Sequence, residues 1–224
     1  MPTRSHPKPS DLRRAAGLPH INPLVLVSRT DPFDNPDWLF EPKYDGFRGI
    51  LYTSSLGCEI RSRRDFQFDR FGDLCNRIAG VLGQREAILD GEIVALNRQG
   101  KPVFRDLIRG QGFIAFAAFD LLWLDGTDLR SQPLAERKRL LGDLLPEDTG
   151  PLYKILTLEE HGRALFSAIK KMDLEGIVAK RKADPYTPAT QWSKIKNPGY
   201  SQGEGRGDLF RSRDRSRRRT EASD

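Results

Sequence analysis

Eight short runs of β-branched, aromatic and aliphatic residues, at 39–43, 48–52, 59–61, 88–96, 113–124, 153–156, 176–180 and 191–196, are set between turn residues, with helical patterns only at 69–82, 134–145 and 158–172. Runs of that length cannot bury a face alone and must pair into sheets. A doubly wound parallel sheet needs a crossover helix after each strand, and here the helices are too few and too unevenly spread. The order predicts an α+β fold of antiparallel sheets flanked by helices, beginning near Trp38. Residues 1–21, rich in Pro, Ser and Arg without periodicity, read as a flexible leader, and residues 22–200 read as one domain. Residues 201–224, where Arg211, Arg213, Arg215, Arg217, Arg218 and Arg219 crowd together, read as a disordered tail.

A chain of 224 residues with 38% hydrophobic residues can bury a proper core. Its mean hydropathy of -0.57 fits a soluble protein. No run approaches the ~20 apolar residues that span a bilayer, and residues 1–9 lack the apolar segment of a secretory signal. These features predict a cytoplasmic protein without membrane contact. Cys58 and Cys75 lack metal-ligand spacing, which argues against a structural zinc. The formal charge of +6 favours polyanionic partners. The arginine tail either contacts such a partner or merely solubilises the chain.

Chemistry concentrates in five places. Glu41-Pro42-Lys43-Tyr44-Asp45-Gly46-Phe47-Arg48 sets a lysine beside an Asp-Gly turn with an arginine five residues on. A lysine amine is a nucleophile only when unprotonated, and its pKa shifts readily on burial or beside cations. The same Asp-Gly also suits a plain hairpin joining flanking strands. Leu89-Asp90-Gly91-Glu92-Ile93-Val94 and Glu175-Gly176-Ile177-Val178-Ala179-Lys180 carry carboxylates into apolar strands, where charge must be paired or bind a metal. Two such glutamates suit a shared Mg²⁺. Phe119 in Phe119-Asp120-Leu121-Leu122-Trp123 is either core or a stacking surface for a base. Alternation in Trp192-Ser193-Lys194-Ile195-Lys196 puts both lysines on one strand face, to meet an anion or to blunt a sheet edge.

In order and approximate spacing these five blocks resemble the nucleotidyltransferase (adenylation, ATP-grasp-like) domain of ATP-dependent DNA ligases, over about residues 22 to 200. Within that group the chain looks most like bacterial ligases related to the ligase module of end-joining proteins. Arg61-Ser62-Arg63-Arg64 also fits the family's Ser-Arg block, although Asp65 stands where a glycine is common. The resemblance implies that Lys43 attacks the α-phosphate of ATP, expels pyrophosphate and carries AMP. It implies that Glu41 contacts the nucleotide, that Arg48 and Arg63 hold ribose and phosphates, and that Phe119 stacks on adenine. Glu92 would bind ribose or metal, Glu175 would bind Mg²⁺ (or Mn²⁺), and Lys194 and Lys196 would neutralise the α-phosphate. NAD in place of ATP is disfavoured, because too few residues precede Trp38 for the extra module of NAD-specific relatives.

Family members normally continue after the Trp-x-Lys-x-Lys strand into an OB-fold that clamps DNA, and residues 197–224 show no strand pattern for one. The implied function is a monomeric DNA repair ligase, nucleoid-associated when on nicked or broken DNA, with a DNA-end-binding protein replacing the OB-fold. An accessory DNA-binding protein that accepts adenylate without sealing, or an RNA ligase, are the alternatives.

Overall fold

The computed structural model describes residues 18–145 and 150–203. Two mainly antiparallel sheets dominate, as the strand-rich pattern predicts. The first contains β1 (Leu26–Ser28), β2 (Asn35–Lys43), β9 (Leu158–Glu160), β10 (Gly176–Arg181) and β11 (Trp192–Lys196), in the order β1-β11-β10-β2-β9. The second runs β4 (Gly57–Ser62), β3 (Phe47–Ser54), β5 (Ala87–Leu96), β6 (Phe113–Leu124) and β7 (Thr127–Asp128). A short β8 (Leu152–Lys154) adds parallel to β6, and β1 adds parallel to β11.

Helices α1 (Gly72–Leu82), α2 (Phe104–Arg109) and α4 (Gly162–Lys171) cover the outer faces, and α3 (Leu134–Leu144) packs along β6 with Leu134 in the core between the sheets. Their spacing follows the helical repeat: Leu74, Ile78 and Leu82 of α1, and Leu165 and Ile169 of α4, are buried one turn apart. Phe40, Ile177, Ala179 and Ile195 of the first sheet form one core with α4. Leu51, Leu89, Ile93 and Phe116 of the second form another with α1 and α2. Between the sheets, Leu39, Val178 and Trp192 meet Ile50, Tyr52, Ile88 and Leu122. Alternation along each strand therefore feeds two cores at once.

Order begins well before Trp38. Leu18, Ile21 and Leu24 are buried in the core between the sheets, so the packing reaches into the segment expected to be a flexible leader. The helix expected over 158–172 starts only at Gly162. Leu158 and Glu159 pair instead with Phe40 and Leu39 at the sheet edge, and Glu160 has φ of 65°, which no helix accommodates. The six-residue α2 was too short to show a period. Ser201–Gly203 form a short turn in which Ser201 binds Asp173 through N at 2.9 Å and Oγ at 2.6 Å. The leader through residue 17 and the arginine-rich tail from 204 onward lie outside the described residues. Among the described residues no helix is long and apolar enough to cross a membrane.

Candidate functional site

The hairpin alternative at Asp45-Gly46 fails, because β2 and β3 belong to different sheets. Lys43 is the last residue of β2, half-buried, and Tyr44-Asp45-Gly46 carries the chain from one sheet to the other. That crossing is tight. A Cβ on Gly46 would lie 2.2 Å from the Ile93 carbonyl oxygen and 2.9 Å from Glu92 Cγ. Beside Lys43 in the sheet, Gly176 has φ of 152°, and a Cβ there would come within 2.1 Å of the Ile195 carbonyl oxygen. Two glycines thus hold the backbone around Lys43 against its neighbours.

Register explains which side chains gather. Leu39 lies beside Lys180, Glu41 beside Val178 and Lys43 beside Gly176; across the next strand Val178 meets Lys194 and Gly176 meets Lys196. Directly paired residues share a face, so this row looks toward the second sheet while Phe40, Ile177 and Ile195 look toward α4. Arg48 of β3, Glu92 of β5 and Phe119 of β6 answer from the second sheet, and the cleft between them is also lined by Leu26, Tyr44 and Trp192.

Its electrostatics are dense. Lys43 Nζ donates to Glu175 Oε2 at 2.5 Å. Burial pushes the Glu92 carboxyl up to about 8; Lys43 and Arg48 pull it down, while the Glu175 and Asp45 carboxylates push it further up. Asp45, itself buried, accepts from Tyr200 OH at 3.2 Å. Burial is the main cause of the Glu92 shift, with the neighbouring carboxylates adding less than the two cations remove. Among the described residues no group of three His, Cys, Asp or Glu side chains is poised for a metal alone. Two carboxylates completed by phosphate oxygens and water is the ordinary arrangement for Mg²⁺, so Glu92 and Glu175 fit that ion.

Glu41 is enclosed rather than open. It pairs with Lys138 of α3 and with Lys180 at 2.6 Å, and it accepts from Thr157 Oγ1 at 3.2 Å. Burial works to raise its pKa, but the two lysines outweigh it and hold the carboxyl below its ordinary value. Lys180, also buried, is pushed down to about 8 by desolvation against the pull of Glu41. Its Nζ lies 3.9 Å from the Trp192 ring centre and 4.3 Å from that of Phe119. Phe119 meets Trp192 edge-on at 6.0 Å and stays partly exposed on the cleft wall.

Arg48 lines the cleft and is also held from within the protein. Its Nε and Nη2 fork onto Asp90 at 3.1 and 2.7 Å, and Nη1 donates to the Leu24 carbonyl at 2.6 Å. Burial opposes its charge, yet Asp90 more than offsets that and raises its pKa. The guanidinium lines the cleft while bracing it. Tyr186 OH donates to Asp90 at 2.7 Å and accepts from Leu24 N at 3.3 Å, and Tyr52 OH accepts from Ile21 N at 3.1 Å. The segment before β1 is thereby pinned as one wall of the site.

The structure brings together Glu41, Lys43, Arg48, Glu92, Phe119 and Glu175, but not Arg63, Lys194 or Lys196. Arg63 is exposed on the turn after β4 ends at Ser62 and does not line the cleft, while Arg61 before it is buried against Glu59 at 3.0 Å. Lys194 and Lys196 share the cleft-facing row yet sit beyond its lining, the first half-buried and the second exposed. Sequence reasoning missed Lys138. Its only signal was Arg137, an arginine in the apolar stripe of α3, which marks internal pairing: Arg137 forks onto Asp120 at 2.8 and 2.8 Å with both side chains fully buried.

Comparison with known proteins identifies the family and the fold. The family model described as ATP dependent DNA ligase domain matches residues 26–196. The multifunctional non-homologous end joining protein LigD of Mycolicibacterium smegmatis is 33% identical over 181 residues, covering 75% of this chain and 24% of that protein. The SPbeta prophage-derived DNA ligase-like protein LigB of Bacillus subtilis is 27% identical over 192 residues, covering 81% of this chain and 69% of that one. A structure of mycobacterial DNA ligase D complexed with ATP and MES superposes with a TM-score of 0.68 at 29% identity, over 78% of this chain and 60% of the other. This chain spans about a quarter of the length of the LigD relative.

Proposed function

Because the chain belongs to the family of ATP-dependent DNA ligase domains, we propose that residues 22–200 form an adenylation domain in which Lys43 takes AMP from ATP and passes it to a DNA 5'-phosphate. The observation that carries this reading is the half-buried Lys43 amine, fixed between two sheets and bonded to Glu175. The unprotonated Nζ attacks the α-phosphorus; the N–P bond forms, the bond to the bridging oxygen breaks, and pyrophosphate leaves. The proton departs beforehand, and Glu175 Oε2 is the acceptor already in contact.

Glu92 and Glu175 would hold Mg²⁺ (or Mn²⁺), which would supply neutralisation of the triphosphate charge. Phe119 supports the adenine, and Glu41, kept ionised by Lys138 and Lys180, offers an acceptor toward the base edge. Lys194 and Lys196, just beyond the cleft on its strand face, meet phosphates that project from it. Sealing follows when a 3'-hydroxyl attacks the adenylated 5'-phosphate and releases AMP. Nicked or broken DNA is the substrate, with a DNA-end-binding partner aligning it and the arginine-rich tail adding phosphate contacts.

Incubation with α-labelled ATP and Mg²⁺, read on a denaturing gel, tests the first step. The wild type should carry label; Lys43→Ala and Lys43→Arg should carry none, since a guanidinium stays protonated. Label retained by either variant would show that Lys43 is not the nucleophile.

A further inference from the structure

On the side of the second sheet away from the cleft, α1 and α2 leave an open groove of about 650 Å³. Its floor is apolar, with Leu74 and Ile108. Its rim carries Arg70, Arg77 and Arg109 against a single acid, Asp73. The arginines are set in place before any partner arrives. Arg70 Nη2 donates to the Leu107 carbonyl at 2.5 Å with its guanidinium 4.5 Å from the Phe71 ring centre. Arg77 Nη2 donates to the Ile114 carbonyl at 2.8 Å, 5.3 Å from the Phe113 ring centre. Arg109 at the end of α2 is exposed and, among the described residues, makes no hydrogen bond or ion pair. Phe113 is 45% exposed, an aromatic ring facing water beside a fixed guanidinium.

We propose that this groove binds a single strand of nucleic acid, with phosphates on Arg77 and Arg109 and an unpaired base on Phe113. The proposal rests on the reading of the protein as one that acts on nucleic acid, and adds a second contact region remote from the adenylation cleft. Charge selects the class of partner, since three guanidinium groups oppose one carboxylate. The exposed ring selects the form. A duplex keeps its bases stacked inside and would use only the arginines, whereas an unpaired base can lie on an aromatic face held next to a phosphate-binding cation.

Fluorescence anisotropy of full-length protein with labelled oligothymidylate, and with blunt duplex of matched charge, tests it. Phe113→Ala should weaken oligothymidylate binding roughly tenfold and leave duplex binding unchanged. Arg77→Glu/Arg109→Glu should reduce the single-strand salt slope by about 1.4, two contacts at ~0.7 each. Arg98→Glu/Lys171→Glu, an equal change of charge at exposed positions outside the groove, should change the slope far less. Equal losses from the two double variants, or no effect of Phe113→Ala, would overturn the proposal. So would a polyglutamate that competes as well as oligothymidylate and ignores Phe113→Ala, which would assign the groove to acidic peptides. ATP labelling of the same variants should stay at the wild-type level, so failure of the groove and failure of the adenylation reading give different results.

Discussion

Replacing Arg137 with methionine should be among the most damaging single changes outside the cleft. Arg137 makes four hydrogen bonds with no exposed side-chain surface: two to Asp120, one to the Gln132 carbonyl at 2.5 Å and one to the Asp184 carbonyl at 3.0 Å. Methionine fills similar space but strands a buried carboxylate and removes the donor from two carbonyls. Breaking a buried pair from one side costs about 3–5 kcal/mol, a large part of the roughly 5–15 kcal/mol by which domains are stable. At about 2–4 °C per kcal/mol for a chain of this size, Tm should fall by roughly 6–20 °C. Asp120→Leu/Arg137→Met should recover much of the loss, because no uncompensated charge remains. Urea unfolding followed by tryptophan fluorescence measures both. If Arg137→Met unfolds within about 1 kcal/mol of wild type at unchanged slope, or the double variant is no better, the ion pair does not hold α3 as described.

Glu92 and Lys180 should tilt the dependence of stability on pH in opposite directions on the two sides of pH 8. Glu92, raised to about 8 from 4.5, contributes stability that is full below 4.5 and lost as pH rises toward 8; Lys180, lowered to about 8 from 10.5, contributes stability that is full above 10.5 and lost as pH falls toward 8. Urea midpoints from pH 4.5 to 10.5 check this by difference from wild type: Glu92→Gln should remove a loss between 4.5 and 8, and Lys180→Met a gain between 8 and 10.5 that the raised Cys58 thiol and the tyrosines pushed up by burial oppose; variants that keep the wild-type pH dependence would contradict it. Gly46→Ala should cost about 1–3 kcal/mol and slow AMP labelling, because its methyl meets the Ile93 carbonyl. Gly80→Ala, in α1 with nothing within 4 Å, should instead stabilise by about 0.5–1 kcal/mol, and equal effects at the two sites would refute the steric argument. Deleting residues 204–224 should leave ATP labelling intact and flatten the salt dependence of nicked-DNA binding by about 0.9 per lost phosphate contact; an unchanged slope would make the tail a solubilising extension.

The motif carboxylates and lysine of the cleft were legible because chemistry interrupts an apolar pattern at each: Lys43 at the end of β2 before Asp-Gly, Glu92 within β5 after Asp90-Gly91, and Glu175 just before β10. The α+β class was legible from the uneven mixing of strands and helices. Tertiary partnership was not. That Arg48 would brace Asp90 and Leu24 depends on a residue 24 positions upstream, in a segment whose Pro and Asn disguised its buried Leu18, Ile21 and Leu24. That β2 and β3 would part into two sheets depends on packing of Gly46 against β5, which local turn chemistry does not encode. Arg61 and Arg63 lie two residues apart and would share a face if the strand ran on, but β4 ends at Ser62, which leaves Arg63 on an exposed turn while Arg61 is buried.

The parallel pairing of β1 with β11 governs when the site can exist during synthesis. Leu26 lies opposite Trp192 and Ser28 opposite Lys194, so a wall made from the start of the domain rests on a strand made almost last. Until Trp192–Lys196 has left the ribosome, β1 lacks the strand it pairs with among the described residues, and Lys180 lacks its Trp192 ring. The second sheet, whose neighbours β3, β4, β5 and β6 are close in sequence, can pair much earlier. A nascent chain halted before residue 190 is therefore expected to hold a folded sheet bearing Arg48, Glu92 and Phe119, with the Lys43 side of the cleft still unassembled.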